Sequence, residues 1–148
     1  HPGRNLYLLA TGTGLAPYVS MLRSPEVWTQ FERVVLVLSV RDRSDLAYEE
    51  ELHALAQPHA EQGRARFHFV VTLTRDTRHG ALQGRIPALI EAGTLEAHAQ
   101  VPLDHERSRF MLCGNPEMVE SMRALLKARG FRMHRRLEPG HIIVENYW

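Results

Sequence analysis

Short, unbroken runs of aliphatic and β-branched residues recur along this chain, each followed by a polar turn and usually a segment with helical spacing. Residues 6–10, 34–40, 67–73, 109–113 and 141–145 are five such runs. A strand that is apolar at consecutive positions needs cover on both of its faces, which antiparallel hairpins with one wet face do not provide. The alternation therefore predicts an α/β fold: a Rossmann-like, five-stranded parallel sheet with helices on both faces. At 148 residues the chain is long enough for one such domain, 1–148, with a substantial core and no staples.

The helices carry their own signals. Residues 15–22 read as helix directly after the first run, and 48–60 after the second, with Ser44 or Asp45 placed to cap it. Arg85-Ile86-Pro87 opens a short helix that Gly93 ends. Asn115 is an N-cap and Pro116 suits the first helical position, where the missing N–H costs nothing. Met118, Val119, Met122, Leu125 and Leu126 then form one apolar stripe, closed by Gly130.

Several function classes are excluded at this level. Eighteen basic residues against 17 acidic ones give a net charge of +1, too little for a nucleic-acid coat or a polybasic membrane binder. Cys113 is the single cysteine, so an internal disulfide and cysteine-rich metal or iron–sulfur ligation are ruled out. The nine histidines lack tight ligand spacing, and no metal site is expected. No apolar run approaches the ~18 residues of a membrane span. The start, His1-Pro2-Gly3-Arg4, has neither an initiator Met nor a signal-peptide pattern, so a piece of a longer, cytoplasmic protein is expected.

Ligands of parallel α/β sheets bind beyond the carboxyl ends of the strands, so the residues after each run are the candidate site. Thr11-Gly12-Thr13-Gly14 forms a strand-to-helix turn with two glycines, where a backbone without Cβ atoms can approach a pyrophosphate at a helix N-terminus. No Gly-Lys-Ser/Thr follows, which excludes a Walker A loop. A tight structural turn is the competing explanation. The second strand ends in Val40-Arg41-Asp42-Arg43, where an NAD site would place an acidic residue for the ribose hydroxyls. Thr74-Arg75 follows the third strand and Arg85 comes a short loop later. Arg41, Arg75 and Arg85 can converge on a dianionic 2′-phosphate through charge-assisted hydrogen bonds. The alternative is a solvated rim in which Asp42 and Asp45 neutralise Arg41 and Arg43 in surface pairs.

Cys113 ends an apolar strand, as an inert core thiol would, yet Gly114 behind it leaves room for a flat ring. Glu145, at the end of the last strand, is either an exposed carboxylate or one that orients a donor or shuttles a proton. The terminal Tyr147 and Trp148 suit stacking on a partner ring.

Taken together, Thr11-Gly12-Thr13-Gly14-Leu15-Ala16-Pro17, Thr74-Arg75, Gly84-Arg85-Ile86-Pro87, Cys113-Gly114-Asn115-Pro116 and Val144-Glu145-Asn146-Tyr147-Trp148 resemble the NADP-binding half of the bacterial ferredoxin (flavodoxin)–NADP⁺ reductases. The resemblance spans essentially the whole chain. It implies that Thr11, Gly12, Thr13 and Gly14 line the pyrophosphate of NADP(H), and that Arg41, Thr74, Arg75 and Arg85 bind the adenosine 2′-phosphate. It places Cys113, with Gly114, and Glu145 beside the nicotinamide and the flavin N5 as the catalytic positions. Tyr147 and Trp148 would stack on the isoalloxazine and adenine rings of FAD. The family's flavin-binding barrel, with its Arg-x-Tyr-Ser/Thr element, is not in this sequence and is expected in the parent protein, with ferredoxin or flavodoxin as the electron partner. Without that barrel the fragment is expected to bind NADP(H) but not to catalyse electron transfer. The reductase part of an oxygenase or flavohaemoglobin system is a second reading, although such proteins often use NADH, against Arg75 and Arg85. A non-catalytic nucleotide-sensing α/β domain is a third, and leaves the Tyr-Trp ending unexplained.

Overall fold

The computed structural model describes residues 4–56 and 65–145. A parallel sheet runs through them in the order β4-β3-β2-β1-β5-β6, built from β1 (Asn5–Thr11), β2 (Arg33–Val40), β3 (Arg66–Leu73), β4 (Leu82–Gln83), β5 (Ser108–Cys113) and β6 (Ile142–Glu145). Five of these are the expected strands. The sixth, β4, is a two-residue edge held by Thr72↔Leu82 and Leu73↔Gln83, too short to leave a hydrophobic pattern.

Among the described residues six α-helices cover the sheet: α1 (Leu15–Leu22), α2 (Glu26–Gln30), α3 (Glu49–Ala56), α4 (Ile86–Glu91), α5 (Thr94–Ala99) and α6 (Pro116–Ala128). The period of two along each strand divides the interior into two cores. Leu6, Leu8 and Ala10 of β1 and Val34, Leu36 and Leu38 of β2 pack with Leu15, Tyr18, Leu22, Trp28 and Leu52 of the first three helices. Tyr7, Leu9, Val35 and Val37 point the other way, into Ile86, Ile90, Leu95, Met122 and Leu126 of the last three. The unbroken apolar runs are thus two interleaved half-patterns, one per face. Where Tyr7 brings a hydroxyl into the second core, the hydroxyl donates to the Val101 carbonyl. Burial, reinforced by Glu96, keeps the phenol protonated well above its ordinary range.

One local expectation is corrected. Neither Ser44 nor Asp45 caps the helix after β2. Residues Arg43–Asp45 form a separate 3₁₀ turn, in which the Asp42 N–H donates to the Asp45 carboxylate at 3.2 Å. The chain then reaches Tyr48, at φ 59°, before α3 begins at Glu49. The predicted end of that helix, 57–60, lies outside the described residues. The short α2 and α5 fall in stretches without long periodicity and were not anticipated.

The loop before β6 is closed by His141, which is 8% exposed. Its Nδ1 accepts the Arg132 N–H at 3.0 Å and its Nε2 lies 2.7 Å from the His105 carbonyl. That arrangement suits the neutral, Nε2-protonated ring. Burial first, then Arg109, Arg132 and the neighbouring His105, hold the imidazole below its usual 6.5, although its bond to the His105 carbonyl favours the proton. His68, partly buried, is displaced in the same direction, by burial first and then by the charges of Arg33 and Arg66. The unfolded chain therefore takes up these protons first. Their contribution is complete above pH 6.5 and declines as pH falls below it. Thermal melts should fall between pH 7.5 and 5.5, more shallowly in His141→Gln; equal slopes would remove His141 from the account.

Candidate dinucleotide site

The sheet changes direction between β1 and β5. From β1 the chain builds outward through β2, β3 and β4, then crosses back to place β5 and β6 on the other side. A crevice opens at such a point, beyond the carboxyl ends of the two strands. Here β1 ends at Thr11 and turns through Gly12–Gly14 into α1, while β5 ends at Cys113 and turns through Gly114 into α6.

These two turns are fitted into each other. The Thr11 Oγ1 accepts the Asn115 N–H at 2.7 Å, and the Asn115 side chain accepts from Glu117 and Met118 to cap α6. A Cβ on Gly14 would stand 2.3 Å from the Cys113 carbonyl oxygen, and one on Gly114 2.0 Å from Thr11 Oγ1. Gly14 and Gly114 therefore serve the contact between β1 and β5. Gly12 is different: the nearest neighbour to its missing Cβ is Val40, at an ordinary 3.5 Å, and the residue lines an open cleft. The two glycines of the turn divide the work that one motif assigned to both, a structural turn at Gly14 and an open backbone at Gly12.

The cleft has a volume of about 510 Å³. Thr11 and Gly12 line it from β1, Arg41 from the end of β2, Thr74 from the end of β3, Arg85 from the turn before α4, and Asn115 from the cap of α6. Arg75, exposed, sits next to Thr74, and its N–H donates to the Arg41 carbonyl at 2.9 Å, extending the β2–β3 ladder by one residue. The structure thus gathers Thr11, Gly12, Arg41, Thr74 and Arg85 around one cavity with Arg75 at its margin.

Charge in this region is distributed unevenly. Asp45 is engaged by backbone, as described above, and Arg43 turns to Asp76, with Nε 3.4 Å from the carboxylate. Arg78 donates to both oxygens of Glu49, at 3.0 and 2.9 Å. Arg85 approaches Glu117 at 3.8 Å, but both side chains are about three-quarters exposed, so the pair is weak. Arg41 and Arg75 form no ion pair among the described residues. The pairs with Asp42 and Asp45 do not form: Arg43 meets Asp76 instead, and Arg41 is exposed with no ion pair among the described residues. Asp76 and Glu117 were the polar partners that sequence reasoning passed over. The Thr-Arg-Asp-Thr stretch carried the one usable hint, since Asp readily accepts from neighbouring backbone N–H groups.

Of the remaining described candidates, Cys113 and Gly114 do not line the cleft. Cys113 is 1% exposed within the first core. Glu145 is the last residue of β6 and pairs in register with Cys113, which brings the two backbones together at adjacent strand ends. The side chains of Thr13 and Glu145, and Tyr147 and Trp148 entirely, lie outside what the structure describes. A second, largely apolar cleft of about 330 Å³ lies toward the amino-terminal ends of the strands, bordered by Leu6, Phe31, Arg109 and Ile143. Gly140 borders it, but no strand-to-helix turn does, and it lies away from the strand carboxyl ends where ligands of parallel sheets gather.

The comparisons with known proteins agree with this geometry. Ferredoxin–NADP reductase A of Sorangium cellulosum is 44% identical over 148 residues, an alignment covering 97% of this chain and 52% of that protein. The flavodoxin/ferredoxin–NADP reductase of Escherichia coli is 42% identical over 144 residues, covering 97% and 56% respectively. The chain thus spans about half the length of the curated relatives it matches. A crystal structure of a ferredoxin NADP⁺ reductase from Neisseria gonorrhoeae, with bound FAD and NADP, superposes with a TM-score of 0.90 at 37% identity, over 98% of this chain and 56% of that one. The model of the oxidoreductase NAD-binding domain matches residues 8–124, from the middle of β1 into α6 and across the whole switch point. With its parallel sheet, its paired glycine turns and its cleft at the strand ends, the chain belongs to the oxidoreductase NAD-binding domain family.

Proposed function

We propose that the cleft binds NADP(H) and that the chain is the NADP-binding half of a reductase exchanging electrons with ferredoxin or flavodoxin. The observation that carries the nucleotide choice is a pair of un-neutralised arginines on adjacent strand ends: Arg41, on the cleft wall with the open Gly12 backbone, and Arg75, exposed on the neighbouring β3 end. An NAD site favours a carboxylate at the end of the second strand; here Arg41 occupies that position and Asp45 is engaged by backbone. The relatives' names and the bound FAD and NADP of the gonococcal structure support the wider assignment.

The residues present fit a phosphorylated dinucleotide. Gly12 gives the backbone room at the pyrophosphate, the N-terminus of α1 favours negative charge there, and Arg41, Thr74, Arg75 and Arg85 hold the 2′-phosphate. When bound, NADPH supplies a hydride to a flavin, and the flavin divides the electron pair for a one-electron partner. This chain's share is to bind the nucleotide, select it by its phosphate and orient it. In this reading a separate domain holds FAD, and Cys113, Glu145, Tyr147 and Trp148 meet the nicotinamide and flavin rings.

Calorimetry on the chain should show 2′-phospho-AMP binding at least about tenfold tighter than AMP, the difference a single charge-assisted contact makes. Equal affinities would overturn the assignment.

A further inference from the structure

Resting on the NADP reading, we propose that Asp76 is a positioning residue for nucleotide choice, bracing the loops after β2 and β3 so that Arg41 and Arg75 are held at one spacing. The carboxylate spans the two loops with both oxygens. Its Oδ2 accepts the Arg43 N–H at 3.2 Å and lies 3.4 Å from Arg43 Nε; its Oδ1 accepts the Thr77 N–H at 2.7 Å. Asp76 therefore grips the β2 loop at Arg43, two residues beyond Arg41, and its own loop at Thr77, two residues beyond Arg75. On the strand side, the Thr74 N–H donates to Val40 and the Arg75 N–H to Arg41, at 3.0 and 2.9 Å. Each of the two un-neutralised arginines thus leaves backbone that is fastened before it and after it. The far end of the β3 loop is fastened separately, by Arg78 to Glu49.

The same carboxylate gives Arg43 an ion partner, and Arg43 is not among the residues lining the cleft. Four arginines cluster at these strand ends, and a phosphate has limited room for guanidinium forks. With Arg43 engaged, the choice falls to Arg41, Arg75 and the loosely paired Arg85. The backbone N–H groups of Arg43 and Thr77 hold the Asp76 carboxyl below its ordinary range, so the brace stays charged at neutral pH.

This role has a counter-intuitive sign. Removing a negative charge beside an anion site tightens anion binding if simple electrostatics governs it. If bracing governs, removal weakens the binding of the 2′-phosphate. Calorimetry with 2′-phospho-AMP and AMP on the wild-type chain, Asp76→Ala and Asp76→Asn distinguishes the two. Alanine loses both acceptors and asparagine keeps one. The preference for 2′-phospho-AMP should fall about fivefold in Asp76→Ala and by an intermediate amount in Asp76→Asn, with AMP affinity unchanged within about twofold. Wild-type preference, or a stronger one, in the asparagine variant overturns the proposal even if the alanine variant does not fold. A wild-type chain with no preference at all overturns the NADP reading itself, and the role of Asp76 with it.

Discussion

The paired substitution Arg41→Ala with Arg75→Ala is expected to reduce 2′-phospho-AMP affinity about a hundredfold and to leave AMP within about twofold, since each exposed guanidinium–phosphate contact contributes about tenfold. Two features make the expectation specific. Neither arginine has an ion pair among the described residues, so its loss exposes no buried partner and disturbs no network. The chain path at this point is also held by backbone hydrogen bonds that alanine retains, Thr74 N–H to Val40 and Arg75 N–H to Arg41. Arg85→Ala should cost less, about threefold, because Glu117 competes for that side chain and the turn before α4 is farther from the β2–β3 ladder. The wild-type preference should also shrink as salt rises, as expected for an exposed charge contact. A double variant that keeps its preference would place the phosphate elsewhere.

Most of the fold was legible because burial on both faces leaves a strong mark. Residues 6–10 and 34–40 are apolar at nearly every position, as strands covered on both faces of a parallel sheet are. Short elements left no such mark. The pairing of Leu82–Gln83 rests on two residues, and α2 and α5 have five and six, fewer than two helical turns. The strand-end rule foresaw that the candidate residues would gather, and Thr11, Gly12, Arg41, Thr74 and Arg85 do line one cleft. What each residue does there was less so. Gly12 and Gly14 read alike in the motif, yet Gly14 is occupied by the Cys113 carbonyl and only Gly12 opens to the cleft. The ion pairs were illegible for the same reason: Arg43 could meet Asp42 and Asp45, which are near in sequence, but meets Asp76, 33 residues away, because β3 lies beside β2. Partner choice across a sheet depends on register, and spacing along the chain does not encode it.

The largest loss of stability is expected from Gly114→Ala, at the place where the two turns of the site interlock. The residue has φ +132°, a conformation that strains any L side chain. Space is the greater obstacle. The added methyl would stand 2.0 Å from Thr11 Oγ1, 2.9 Å from the Thr11 nitrogen and 3.0 Å from its Cβ. The hydroxyl cannot swing aside without giving up the Asn115 N–H at 2.7 Å, and the backbone nitrogen belongs to β1, the strand hydrogen-bonded to both β2 and β5. Strain and overpacking together should cost about 3–5 kcal/mol of a total near 5–15 kcal/mol. For a domain of this size that lowers the melting temperature by about 10–15 °C. Gly93→Ala supplies the control, because that residue also has positive φ, +74°, but nothing lies within 4 Å of its added Cβ. It should cost only about 1–2 kcal/mol, the backbone penalty alone. The difference between the two melts, followed by circular dichroism, measures the close approach of β1 and β5 separately from backbone strain. If both variants melt together, the ends of β1 and β5 are not in the contact that shapes this cleft. If Gly114→Ala melts far below Gly93→Ala, the glycine is required by the packing that joins Thr11 to Asn115 at the cleft.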